Sequence, residues 1–368
     1  MLYFDHNATT PLDNRVLEAM LPFLQHLYGN ASALYRLGRV SRSALETART
    51  QVAQLVGVQA EQVIFTSGGT EANNLALQQV SFGKRLAVSA IEHPSIMVPA
   101  LLWQAQGQQL NIIDVDAEGH IKPDFIERVS WAKGDLVSMQ MAHNETGVLQ
   151  DIVGYAELLR EKAVTVHTDA VQAAGKIPVD FVQARVHLMT LSSHKIYGPK
   201  GCGALIVENG FNIRPLIQGG GQEQGWRSGT ENVAGLVGFG KAAELALTEL
   251  VPRQQHLLAL RMQLEQGLKS IPGVVIFSEQ AERLPNTVQW GLNGLDGEML
   301  LMQLDRKGIA VSSGSACASG GNKPSAGLTA MGISEALAKS ALRISLGQQN
   351  TTEDINTLIS TLKSLVLH

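Results

Sequence analysis

The chain has 368 residues, 45% hydrophobic and 17% charged, with a formal net charge of −4. That length suits a large core and two domains, and the mild acidity, with no lysine or arginine cluster, excludes an electrostatic reader of nucleic acid. The two cysteines, Cys202 and Cys317, exclude a disulfide framework and a cysteine-based zinc site. No apolar run is long enough to span a membrane, and MLYFDHNATTP lacks the basic and apolar regions of a secretion signal, so the expected compartment is the cytoplasm.

In chain order, an extended segment runs to Pro11 and a helix follows near Asn14–Leu24. GNASALYRLGR (29–39) reads as loop, and a second helix runs from about Ser41 to Val56, stopped by Gly57. Strands and helices then alternate. Strands are expected at Val63–Thr66, Leu86–Ala90, Leu110–Ile113, Leu136–Met141, Val164–Thr168, Val186–Leu191 and Ala204–Val207. Helices are expected after SGGT, from Pro94, around Pro123–Val129 and over Ile152–Lys162. Apolar strands alternating with helices predict an α/β fold with a mainly parallel sheet covered on both faces, which binds ligands at the carboxyl ends of its strands. A long helical region, Glu231–Ser270, is interrupted near Pro252. The remainder carries strand-like runs at Val274–Phe277 and Thr287–Trp290 and a helix at Glu298–Lys307, a smaller α+β unit. The expected division is a large domain at 15–255 and a small one at 256–368 joined by 1–14.

Lys195, in SSHKIYGPKGCG, sits on a turn between two apolar strands. It is either a solvated turn lysine or a Schiff-base lysine held near neutrality. Asp169 ends VTVHTD 26 residues earlier, about one strand–helix unit, so the two suit neighbouring strand ends. Asp169 is either a cap for the succeeding segment or a ligand-facing carboxylate. An acid and a lysine so placed fit pyridoxal phosphate, whose pyridine nitrogen the carboxylate keeps protonated. SGGT (67–70), with Gly69 and Thr70, lies between a strand and a helix, where backbone N–H groups bind phosphate or glycine merely serves the turn. His93 either starts a helix or stacks on a flat cofactor and moves protons as a catalytic histidine. The polar, glycine-rich segment 218–232 is either a merely mobile loop or one that gates a site or reaches a neighbouring subunit. Cys202, beside a strand, reads as structural, whereas Cys317, on a glycine- and serine-rich stretch, reads as a reactive thiol. Arg343, within an apolar run, needs an anion: a substrate carboxylate or an internal partner.

Taken together, YFDHNATTP, GNAS, FTSGGTEANNLA, EHPS, HNETGVLQDI, HTDAVQAAGKIPVD, LSSHKIYGPKG, GGGQEQGWRSGT, SSGSACASG and LRISLG resemble the cysteine desulfurases, class V enzymes of the fold-type I pyridoxal phosphate group. The motifs run almost end to end in the family's order. The resemblance implies that Lys195 carries the cofactor, Asp169 partners its pyridine nitrogen, Gln172 bonds its 3′ oxygen and His93 stacks on the ring. Gly69, Thr70, Ser192 and His194 would hold the phosphate, and Thr230 would reach that of the other subunit, implying a homodimer with shared sites. Asn30, Asn144 and Arg343 would bind the L-cysteine substrate, while Cys317 accepts the sulfur for onward transfer to an acceptor protein. The implied reaction gives L-alanine and a persulfide, supplying iron–sulfur clusters or other thio-compounds. Ala31, Tyr35 and His143 depart from the residues common at their places in the family. A selenocysteine lyase, an aminotransferase of the same fold and a catalytically idle sulfur-carrier subunit are the alternatives.

Overall fold

The computed structural model describes residues 1–313 and 324–366. Its strands are β1 (Leu2–Tyr3), β2 (Val63–Thr66), β3 (Arg85–Ser89), β4 (Gln109–Ile113), β5 (Leu136–Gln140), β6 (Thr165–Asp169), β7 (Leu188–Ser192), β8 (Gly203–Val207), β9 (Val274–Ile276), β10 (Thr287–Leu292), β11 (Ile309–Ala310), β12 (Ser312–Ser313) and β13 (Leu342–Ser345).

A seven-stranded sheet has the order β2-β8-β7-β6-β5-β3-β4. The neighbours from β7 to β4 pair in parallel, while β8 runs antiparallel to both β2 and β7. Every residue of β2, β5, β7 and β8 is buried. That explains their continuous apolar runs: helices on both faces leave no side of these strands for water. Helices Gly69–Leu77, Pro94–Ala105 and Ile152–Glu161 fall between successive strands, while Arg36–Leu55 and Val233–Thr248 add Leu45, Val52 and Phe239 to the principal core.

A second sheet, β12-β13-β10-β9, is antiparallel throughout. Its core gathers Val288 and Trp290 with Leu257 and Leu264 of helix Leu250–Lys269, and Leu358 and Leu362 of helix Thr352–Val366. Phe4 joins this cluster, because β1 pairs in parallel with β11.

Three expectations need correction. The second helix starts at Arg36, not Ser41. Gly38, which reads as loop, is instead a close-packing residue: a Cβ there would lie 2.4 Å from the Ala33 carbonyl oxygen. The break in the long helical region falls at Glu249, not at Pro252, which occupies the first turn of Leu250–Lys269 where a missing N–H costs nothing. Finally, LRIS around Arg343, read only as an apolar run, is an inner strand of the second sheet; its apolar–polar alternation is present but covers only four residues.

Candidate active site

Asp169 and Ser192 are the last residues of β6 and β7, which pair in parallel with Asp169 opposite Thr190. The antiparallel return into β8, with Ser192 opposite Gly203, leaves room for one tight turn, Ser193–Lys195. Lys195 is half-buried, and its Nζ donates to the Asn7 carbonyl and, at 2.8 Å, to that of Ala8. Those carbonyls are held in place by their own segment. The Thr10 hydroxyl donates to the His194 carbonyl at 2.9 Å and accepts from the Tyr197 N–H at 2.8 Å, lacing the N-terminal segment over the turn.

Asp169 accepts from the Asn73 side chain at 2.8 Å and from the Val171 N–H at 2.9 Å. It therefore ties the following turn and keeps spare acceptor capacity at a strand end. His93 caps helix Pro94–Ala105, its Nδ1 meeting the Ser95 N–H at 3.1 Å. It also feels both site charges. Burial lowers its pKa first, the Asp169 carboxylate opposes that, and Lys195 reinforces it. The capping role of His93 is therefore seen directly, and its ring also lies among the Asp169 and Lys195 charges.

The strand-to-helix turn SGGT forms a cradle. Gly68 has φ +155° and ψ 178°, a region open essentially to glycine alone. A Cβ on Gly203 would sit 2.5 Å from the Gly68 carbonyl carbon, so Gly203 is needed for the close approach and Gly68 for its backbone conformation. Gly69 begins the nine-residue helix Gly69–Leu77, and a Cβ there would lie 3.8 Å from Ser192 Oγ. That hydroxyl is buried without a hydrogen-bond partner, and Thr70 is exposed in the same first turn. An orphaned hydroxyl facing a glycine helix N-terminus is what a phosphate would satisfy. His194 stands beside it, its Nδ1 at 3.1 Å from Thr9 Oγ1. Burial, then Lys195, Lys200 and Lys176, lower its pKa to about 4, so the ring is neutral. Lysine, carboxylate and phosphate cradle together fit pyridoxal phosphate.

Around this cradle the chain is drawn in from distant segments. Gln172 donates to the Asn7 carbonyl at 2.9 Å, and the Asn7 side chain donates to the Asn144 carbonyl at 3.2 Å. Arg343, on β13, donates to the Asn144 carbonyl at 3.0 Å and pairs with Asp5 at 2.6 Å, while its Nε is buried and unpartnered. Its internal partner is thus Asp5, with one donor still unsatisfied. Asn30 is exposed, and its side chain accepts from the Ser32 N–H at 2.8 Å, a local turn. Thr230 is exposed on the glycine-rich loop. That loop is fastened by Glu223, which receives two 2.7 Å bonds from Arg49. Glu223 and Gln224 both take left-handed backbone conformations. Cys317 lies outside the described residues. Cys202 is fully buried, its thiol pushed up to about 12 by burial, an inert structural group.

Sequence reasoning passed over four residues of this neighbourhood: Asn7, Asn73, Glu92 and Lys176. Glu92, next to His93, is buried, accepts from Ser89 Oγ and the Gln140 N–H, and has its pKa raised to about 8, chiefly by burial. Asn73 and Glu92 lie inside the family motifs FTSGGTEANNLA and EHPS, so their local signal existed. Their partners did not show.

A lysine and an acid on adjacent strand ends above a phosphate cradle define a pyridoxal phosphate enzyme of fold type I. The sequence profile of the aminotransferase class-V family matches residues 2–358. The chain belongs to that family, and within it to the cysteine desulfurases. A cysteine desulfurase IscS of Methanosarcina thermophila is 39% identical over 370 residues, covering 99% of this chain and 92% of the relative. A solved NifS-like protein superposes with a TM-score of 0.93 at 34% identity, covering 100% and 99% of the two chains. The NifS-like protein of Rickettsia africae gives 0.91 at 36% identity, with 99% of each chain covered.

Proposed function

We propose that this cysteine desulfurase turns L-cysteine into L-alanine with Lys195 as cofactor lysine and proton carrier and Cys317 as sulfur acceptor. The observation that carries the assignment is the placing of Asp169 and Lys195 at the ends of paired strands β6 and β7. When bound, pyridoxal phosphate supplies the electron sink for the substrate's Cα. Asp169 keeps the pyridine nitrogen protonated, Gln172 bonds the 3′ oxygen, and the neutral His93 ring stacks on the cofactor. Gly69, Thr70, Ser192 and His194 hold the phosphate. Lys195, once released, takes the Cα proton and returns it. Asn144 and Arg343, with Asn30, bind the substrate carboxylate, for which the unpartnered Arg343 Nε is an available donor.

The Cys317 thiolate attacks the substrate sulfur. The carbon–sulfur bond breaks, a sulfur–sulfur bond forms, and two protons return to the carbon fragment as alanine, leaving a Cys317 persulfide for an acceptor protein. Thr230 reaches the phosphate of the other subunit in a homodimer, a reading supported by its exposure on a loop fastened through Glu223. The domain division at 15–255 and 256–368 with 1–14 accords with Phe4 and Leu257 packing together in the second core. A cytoplasmic setting suits a chemistry that needs a reduced thiol. No helix among the described residues is long and apolar enough to cross a membrane. Incubation with sulfur-labelled L-cysteine, followed by mass mapping, should place one extra sulfur on Cys317. Label on Cys202 instead would refute the sulfur-transfer assignment.

A further inference from the structure

Lys176 comes after the turn beyond β6 and is almost fully buried. Its Nζ lies 2.7 Å from Gln172 Oε1 and 3.2 Å from Asn7 Oδ1, two amide oxygens rather than a carboxylate. An ammonium in that position has only donors to give, so an amide nitrogen turned toward it would set donor against donor. The orientation of a side-chain amide is ordinarily ambiguous; here it is determined chemically. Gln172 must turn its oxygen to Lys176 and its NH₂ away. One hydrogen of that NH₂ goes to the Asn7 carbonyl at 2.9 Å, which leaves the second free for a ligand. Asn7 is oriented in the same way. Its Oδ1 also accepts from Asn286 at 3.0 Å, and its NH₂ serves Thr287 at 2.9 Å and Asn144.

We propose that Lys176 is a positioning residue for the cofactor: it fixes the Gln172 amide so that a donor, never an acceptor, faces the phenolic 3′ oxygen. This rests on the reading of Gln172 as the partner of that oxygen. A donor there stabilises negative charge on the oxygen and so lowers the pH at which the bound cofactor's chromophore loses its proton. The charged and titratable groups facing Lys176 are Lys195 from the turn after β7, Arg343 from β13, and the rings of His6 and His194. Burial, then Lys195 and Arg343, lower the Lys176 pKa well below its ordinary value, while the two amide oxygens around its Nζ favour the ammonium against that shift.

The test titrates the visible absorption band of the holoenzyme against pH. Lys176→Met should move its midpoint upward by roughly half to one pH unit, about the effect of one hydrogen bond. Gln172→Met should do the same, and Lys176→Met added to Gln172→Met should move it no further. Lys176→Arg, which also only donates, should keep the wild-type midpoint. An unchanged midpoint in Lys176→Met, or equal shifts in both backgrounds, overturns the proposal. So does an unchanged midpoint in Gln172→Met, which needs no folded Lys176 variant. A wild-type protein that takes up no pyridoxal phosphate overturns the cofactor reading as well. A normal band with an invariant midpoint overturns this inference alone.

Discussion

Glu92 gives the sharpest stability test. Its Oε1 accepts from Ser89 Oγ at 2.5 Å and from the Gln140 N–H at 2.7 Å, while Oε2 is buried without a partner. Burial, with the Asp169 charge adding to it, raises its pKa from 4.5 to about 8 against the pull of those two hydrogen bonds. The folded protein therefore keeps a proton that the unfolded chain loses. The stability from that protonated carboxyl is fully present below the unfolded pKa and is lost as pH rises through the folded one. Between about pH 6 and about pH 9 the loss amounts to roughly 3 kcal/mol, at ~1.4 kcal/mol per pH unit where the two states differ by a whole proton. Glu92→Gln keeps the carbonyl acceptor for Ser89 and Gln140 but cannot ionise. Thermal melts of wild type and Glu92→Gln should thus diverge with pH, the gap shifting in the variant's favour by about 4 °C over that range for a chain of this size. Melting curves whose separation stays constant from pH 6 to pH 9 would refute the buried, neutral carboxyl.

Two further substitutions probe the cradle and its approach. Gly69→Ala puts a Cβ 3.2 Å from Val171 Cγ2 and beside Ser192, in the space left for phosphate. It should weaken pyridoxal phosphate binding by about tenfold, measured by absorbance titration, while the melting point of cofactor-free protein barely moves. A large loss of stability without loss of affinity would contradict the cradle. Glu223→Ala removes the two strongest bonds of the buried Arg49 guanidinium, leaving it Glu46 and the Val63 carbonyl, and releases two left-handed residues. It should cost about 3 kcal/mol and expose segment 218–232 to limited proteolysis. Unchanged melting and cleavage would show that the Arg49 pair does not fasten the loop.

The large sheet was legible because its strands are buried on both faces and its helices intervene in sequence order. The spacing of Asp169 and Lys195 by one strand–helix unit translated directly into neighbouring strand ends, since β6 and β7 do pair. His93 was undecidable locally because the residue that caps a helix here also lies among the charges of Asp169 and Lys195. Arg343 left its partner open for a different reason: Asp5 lies at the other end of the chain. Lys176 lies inside the motif HTDAVQAAGKIPVD, but nothing local marked its role. Between a glycine and an isoleucine after a run of small residues it reads as an ordinary turn lysine, and only the fold places two amide oxygens around it. Charge complementarity and amide orientation over long sequence separations have no periodic signature.

Asn7 bears on how the molecule comes together in time. Its side chain and backbone join Asn144, Gln172, Lys176, Lys195, Asn286, Thr287 and Ser345, and the bond to Ser345 spans 338 positions. During synthesis the phosphate cradle and the lysine turn emerge long before β13, yet the knot that clasps them cannot be tied until that strand has left the ribosome. Closing so long a loop is slow. The N-terminal segment of a nascent chain therefore cannot take its final place over the lysine turn before β13 has been made.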